Sequence, residues 1–344
     1  MNPVATKVAV IGAGISGAVC ASNLAKNGIS VTLFESARGP GGRMSRRRET
    51  TEDGKELYFD HGAPYFSTTN ADVEDMIRGW EARGLVAEWK QNFGSFDYIT
   101  KTFVNSEKDG LNKKYVGVPG MNSICRALCN ETDKDGQDLG QFNGVVTSDK
   151  STFSQRFTKV SGIPPPLDLN VMPVLADKVK EVPVRPCFAL MLAFENPLSS
   201  IPLKGFSFEN SEVLSWAICE SSKPGRSTSS ERWVLRSTEQ YAENIIAQAG
   251  LQKPSNAALT EIAEELFKEF QRTGFDMSMP FFKKAHRWGS AFPATSIARD
   301  EKCIWDGTKK LAICGDFCVS PNVEGAILSG LTAASIFSET FSRL

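Results

Sequence analysis

A chain of 344 residues is longer than a single hydrophobic core usually grows, so two domains are expected, and 41% hydrophobic residues are enough to build their cores. Its 39 basic and 40 acidic residues leave a net charge of −1, which supplies no basic field for a nucleic acid or a membrane surface. No apolar run approaches the roughly 18–20 residues of a membrane span. From the N-terminus, Lys7–Ile11 reads as a β-branched strand, Gly12–Gly17 as a turn, Ile15–Asn27 as a helix closed by Gly28, and Ile29–Phe34 as a second strand. This is a βαβ unit with short connections, which implies a buried parallel sheet. Arg38–Arg48 is rich in glycine and arginine and reads as a loop. Asp72–Gly84 reads as a helix, Phe93–Val104 and Lys114–Val118 as strands around a hairpin, Asn122–Asn130 as a helix and Gly144–Ser148 as a short strand.

Ile163–Leu167 is a proline-rich crossing between domains. Arg185–Phe194, Gly205–Asn210, Glu212–Cys219 and Arg232–Ser237 form a run of strands, expected to make a mostly antiparallel second sheet. Ser221–Ser230 reads as a mobile polar loop tip. Asn256–Arg272 reads as an amphipathic helix, Lys310–Cys314 as a buried strand and Val323–Thr340 as a long helix rich in small residues. The fold class is α/β, with a nucleotide domain over 1–65, 115–170 and 294–344 and an inserted substrate domain over 66–114 and 171–293.

Eight cysteines are scattered without a CxxC pair, and His61 and His286 are the only histidines, so no metal site is expected and the thiols read as buried and reduced. Reduced thiols suit a reducing compartment. Met1–Thr6 is too short for a targeting peptide, so a cytoplasmic location is expected, an organelle remaining open if a transit peptide was removed.

Gly12-Ala13-Gly14-Ile15-Ser16-Gly17 fits GxGxxG, and its place between a strand and a helix gives the pattern a mechanism. Gly12 permits a tight turn, Gly14 lets a pyrophosphate approach the backbone, and Gly17 lets helix and strand pack closely. The helix N-terminus offers N–H groups and partial positive charge to phosphates. Glu35, with Ser36 beside it, ends the second strand, where a carboxylate accepts both hydroxyls of an adenosine ribose and repels a 2′-phosphate. In the following Arg38-Gly39-Pro40-Gly41-Gly42-Arg43-Met44, Gly42 lets the loop cross close to a cofactor and Arg43 is expected to meet the pyrophosphate with its planar fork, favouring FAD over NAD.

Together these segments resemble the FAD-binding region of the flavin amine oxidase superfamily. Phe59-Asp60-His61-Gly62-Ala63-Pro64-Tyr65-Phe66, Gly117–Asn122, His286-Arg287-Trp288, Cys314-Gly315-Asp316 and Val323-Glu324-Gly325-Ala326 extend the likeness, in order, to the renalase-like family. The resemblance implies a two-domain, hydroxybenzoate-hydroxylase-like fold. It implies that Asp60, His61, Gly62 and Ala63, with Pro119–Met121, line a flavin. It implies that Gly315 and Asp316 sit at the ribityl chain, Asp316 accepting a hydroxyl. The helix at Val323, Glu324 and Ala326 would aim its positive end at the flavin pyrimidine edge.

His286 and Trp288 are the catalytic candidates, His286 as acid or base and Trp288 as a surface for a planar ring; ordinary core packing is the competing reading of both. The expected function is oxidation of a small reduced substrate of dihydronicotinamide type by hydride transfer to non-covalently held FAD, with O2 as acceptor. A flavin amine oxidase and an inactive flavin-binding scaffold are the alternatives. The scaffold reading arises because relatives carry a strand pair after the helix near Asn122, whereas here Asn130–Gly136 passes almost at once to Gly144.

Overall fold

The computed structural model describes residues 6–105, 113–129, 140–152, 157–158, 162–165, 167, 179 and 182–342. β1 (Lys7–Ile11), α1 (Ile15–Lys26) and β2 (Ser30–Phe34) make the expected βαβ unit, β1 and β2 pairing in parallel. β1 pairs on its other side with β9 (Gly144–Thr147), also in parallel. β16 (Leu311–Ile313) follows β9 in parallel, and β15 (Ile304–Asp306) closes the edge antiparallel, giving the order β15-β16-β9-β1-β2. Val8 and Val10 are fully buried in this sheet, as a strand covered on both faces requires. α7 (Val323–Ser342) packs along α1. A Cβ on Gly330 would stand 2.3 Å from the Ser16 carbonyl oxygen, so the two helices meet this closely only through a glycine.

The second sheet has seven strands in the order β14-β10-β13-β12-β11-β6-β7, namely Phe282–Pro293, Val184–Phe194, Glu231–Ser237, Leu214–Cys219, Gly205–Glu209, Phe93–Asp97 and Thr102–Asn105. All pairings are antiparallel except β11 with β6. Alternation along β10 sends Phe188, Leu190, Leu192 and Phe194 to one face, under α4 (Glu239–Ala249) and α5 (Asn256–Gln271). Ala189, Met191 and Ala193 go to the other, where they meet Leu57 and Phe59 of β4 (Glu56–Asp60). β10 is thus apolar on both sides, and its near-continuous hydrophobic run follows.

Several boundaries differ from the expectation. The glycine-arginine loop ends at Ser45, and Arg46–Thr50 forms β3, hairpinned with β4. Phe93–Val104 is two strands, β6 and β7, which are their own hairpin. The strand at 114–118 is β8 (Tyr115–Gly117), and its partner is β5 (Val86–Glu88) in a separate two-stranded sheet. α2 (Ala71–Ala82) starts at Asn70, whose side chain accepts from the Asp72 and Val73 amides. α3 (Ser123–Leu128) is shorter than read. α4, β4, β5, β14 and β15 were not among the expected elements. The short connection at Asn130–Gly136 lies outside the described residues. No helix among the described residues is long and apolar enough to cross a membrane.

Candidate functional site

Gly12 has φ +98, a left-handed conformation suited to glycine, and its amide donates to Phe34 O at 2.8 Å, locking the turn to the end of β2. A Cβ on Gly17 would lie 2.0 Å from Gly12 O, so the helix can sit this near the strand only with glycine there. A Cβ on Gly14 would meet nothing within 4 Å, because it would point into an open cavity. The first turn of α1 carries neither an acidic residue nor a side-chain cap, which leaves its N–H groups to an anion.

Glu35 is held at the end of β2 by two amides, Oε2 accepting from Ala13 N at 2.9 Å and Oε1 from Ala37 N at 2.7 Å. The glycine-arginine loop lies against the first turn, since Gly41 N donates to Ala13 O at 2.9 Å. Arg43 then departs from expectation. Its Nη1 and Nη2 form a bidentate pair with Asp316 at 2.5 and 2.6 Å, so the fork assigned to the pyrophosphate and the carboxylate assigned to a ribityl hydroxyl satisfy each other. Burial opposes the Arg43 charge, but Asp316, helped by Asp149, more than offsets it and raises the pKa. Asp316 is 2% exposed and begins the short helix α6 (Asp316–Val319) instead of ending a strand.

The cavity in front of these groups has a volume of about 1450 Å³. A single small ligand fills roughly 300–1,000 Å³, so this one has room for a dinucleotide and a second molecule. Gly12, Gly14, Ile15, Ser16, Glu35, Ser36, Gly42 and Arg43 line one part of it; Gly62, Ala63, Gly315, Asp316, Val323, Glu324 and Ala326 line more; His286 and Trp288 are on the wall. Ala13, Gly17 and His61, expected at the cofactor, do not reach the cavity. Ala13 turns its amide to Glu35, Gly17 faces the Gly12 carbonyl, and His61 is 5% exposed behind His286 and Trp288. Asp60 and Pro119–Met121 are also off the cavity, with Met121 N donating to Asp60 at 3.1 Å. The Glu324 carboxylate is committed to Thr68 Oγ1 and the amides of Thr69 and Asn70, and Asn322 caps α7 through Gly325 N at 2.7 Å.

The far wall is formed by the second sheet, with Arg236, His286, Trp288 and Phe292 facing the cavity. Register places Arg236 opposite Ala189 and Ala189 opposite His286, so the three share one face in a row across β13, β10 and β14; Cys187 and Trp288 form the next row. The indole N–H of Trp288 donates to His61 O at 2.9 Å. The His61, His286 and Trp288 rings pack mutually with centroids 4.7–4.9 Å apart. Burial pushes His61 down to about 3, helped by His286 and Arg47, and burial pushes His286 down to about 4, helped by Arg47. Both imidazoles are therefore neutral at pH 7. Nδ1 of His61 is buried with no hydrogen-bond partner.

Two features escaped the sequence. The segment read as a mobile tip is stapled inward: Arg226 Nη2 meets Asp60 at 2.5 Å, its Nε meets Glu220 at 3.0 Å, and its Nη1 donates to Gly117 O at 2.9 Å. Lys223 bonds Glu220 at 2.5 Å, and all four charged side chains are fully buried. Arg236 was also passed over, although Arg232-Trp-Val-Leu-Arg236 puts two arginines on one face of an otherwise apolar strand, and that spacing was the available signal.

Among known proteins, residues 10–80 match the family model for an NAD(P)-binding Rossmann-like domain. A 73-residue stretch, 21% of this chain, is 40% identical to the mitochondrial protoporphyrinogen oxidase of Nicotiana tabacum, and spans 14% of that protein. A crystal structure of a provisionally named protoporphyrinogen oxidase from Exiguobacterium sp. 255-15 superposes with TM-score 0.67 at 11% identity, covering 98% of this chain and 99% of that one. Cyclohexylamine oxidase from Brevibacterium oxydans IH-35A superposes with TM-score 0.66 at 12% identity, covering 99% and 100%. The chain therefore has, over nearly its whole length, the mixed α/β fold of the flavin amine oxidase-like structures, with a Rossmann-type nucleotide-binding domain.

Proposed function

We propose that this chain is an FAD-dependent oxidoreductase that oxidises a small reduced substrate of dihydronicotinamide type, as the renalase-like resemblance implies. The observation that carries the reading is one cavity joining the α1 N-terminus and Glu35 to the Trp288–His286 wall. The α1 amides and the space before Gly14 accept the pyrophosphate, and Glu35 accepts the adenosine ribose hydroxyls, which is why FAD fits the residues present. When bound, FAD would supply the two-electron acceptor for hydride from a substrate C–H, with O2 as the proposed final acceptor.

The chain's own part is positioning. Trp288, pinned through its N–H to His61 O, presents the wall beside His286 against which a planar ring rests. Neutral His286 offers a hydrogen bond without adding a charge that would oppose hydride loss. A dihydronicotinamide needs no base, because hydride loss alone completes its oxidation. A flavin amine oxidase is the weaker reading on this wall, where Arg236 would repel an ammonium substrate.

With FAD supplied in excess, anaerobic stopped-flow absorbance at the oxidised-flavin band tests the reading. Dihydronicotinamide isomers are expected to bleach the band far faster than mono- or polyamines. Fast bleaching by an amine alone replaces this function with amine oxidation, and no bleaching by either class supports the inactive scaffold.

A further inference from the structure

We infer that Arg236 is the specificity residue of the substrate half, selecting substrates that carry an anionic group, phosphate or carboxylate, set apart from the oxidised ring. The inference rests on the proposed function for the identity of that ring. Arg236 lines the cavity from the middle of β13. Its guanidinium carbon stands 3.9 Å from the centroid of the Phe292 ring, and that stacking holds the group in place. Among the described residues no carboxylate pairs with it. The neighbouring cations differ: Arg43 is bound bidentately to Asp316, and Arg287 donates to the main-chain oxygens of Gly250, Leu251 and Gln252. A fixed guanidinium facing a cavity, with donors left over and no acidic partner, is a seat for a planar anion.

The register gives the seat a reach. Arg236 and His286 flank Ala189 in one row across three strands, two strand spacings apart, which is about 10 Å. Arg236, His286 and Trp288 all line the same cavity, so a ligand within it can reach from the Trp288–His286 end to Arg236. A ring with an anion some way off meets both ends; a bare ring or a cationic chain meets one.

Calorimetric titration of the FAD-supplemented protein with matched pairs tests this without turnover. Nicotinamide mononucleotide against nicotinamide riboside reads the phosphate source, and phenylbutyrate against phenylbutanol reads the carboxylate source. In the unsubstituted protein the anionic member of at least one pair is expected to bind about 10- to 100-fold tighter. Arg236→Gln should bring that ratio near one and Arg236→Lys should restore part of it. The visible flavin spectrum of each variant, compared with that of the unsubstituted protein, checks that the cavity is intact. Equal binding within both pairs, or a ratio that survives Arg236→Gln, overturns the inference. A protein that takes up no flavin overturns the proposed function instead, and the two ratios still decide the role of Arg236.

Discussion

Gly14 and Gly17 separate two demands that the glycine motif merges. Gly14 borders open space and Gly17 borders a carbonyl at 2.0 Å from any added Cβ. Gly14→Val should therefore keep the melting temperature within a few degrees while abolishing FAD uptake, whereas Gly17→Val should lower both. Thermal melts with flavin content read from the visible spectrum check the pair, and a flavin-replete Gly14→Val protein contradicts the pyrophosphate assignment. The two histidines make a pH prediction. Both fall below the ordinary value of 6.5, so the unfolded chain binds the extra protons; their stabilisation is full above pH 6.5, is lost progressively as pH falls below it, and is gone by about 4 and 3. At pH 5 each costs about 2 kcal/mol by this linkage. Denaturant unfolding of His286→Gln should be less acid-sensitive between pH 7.5 and 5 than that of the unsubstituted protein, and equal sensitivity contradicts the assignment.

The segment from Glu220 to Arg226 shows where hydropathy stops being informative. Serines, a lysine and an arginine read as solvated, yet Glu220, Lys223, Arg226 and Asp60 are all buried because each charge has an opposite neighbour, and that neighbour for Arg226 comes from β4, over 160 residues away in sequence. Removing one partner strands the others in a low-dielectric interior, so Arg226→Met should cost about 3–5 kcal/mol in urea unfolding, while a change smaller than about 1 kcal/mol shows the network to be solvated. Strands with one chemical character were legible: Lys7–Ile11 and Arg185–Phe194 fell where their apolar runs placed them. Arg46–Thr50 was hidden by its charges, and the partner of Tyr115–Gly117 by the fact that pairing is a long-range choice. Of the site, the glycine turn and the place of Glu35 at the end of β2 were readable because the motif is local. The Arg43–Asp316 pair was not, since each residue was assigned a ligand without reference to the other, 273 positions away.

At the scale of the molecule, two sheets enclose one cavity, with the nucleotide loop on one side and the Trp288–His286–Arg236 wall on the other. Among the described residues no cysteine lines it and the His61 ring sits behind the wall, which leaves His286 and Tyr65 as the lining side chains with a nucleophile for a covalent flavin link, and neither is expected to form one. Acid precipitation of the loaded protein should leave a colourless pellet and a yellow supernatant; a yellow pellet contradicts this. The most direct test of the whole reading is the visible absorption spectrum of the purified protein, before and after FAD is added and unbound flavin is removed. An oxidised-flavin band, shifted from that of free FAD and absent in Gly14→Val, is the predicted result. A protein that retains no flavin under saturating FAD contradicts it.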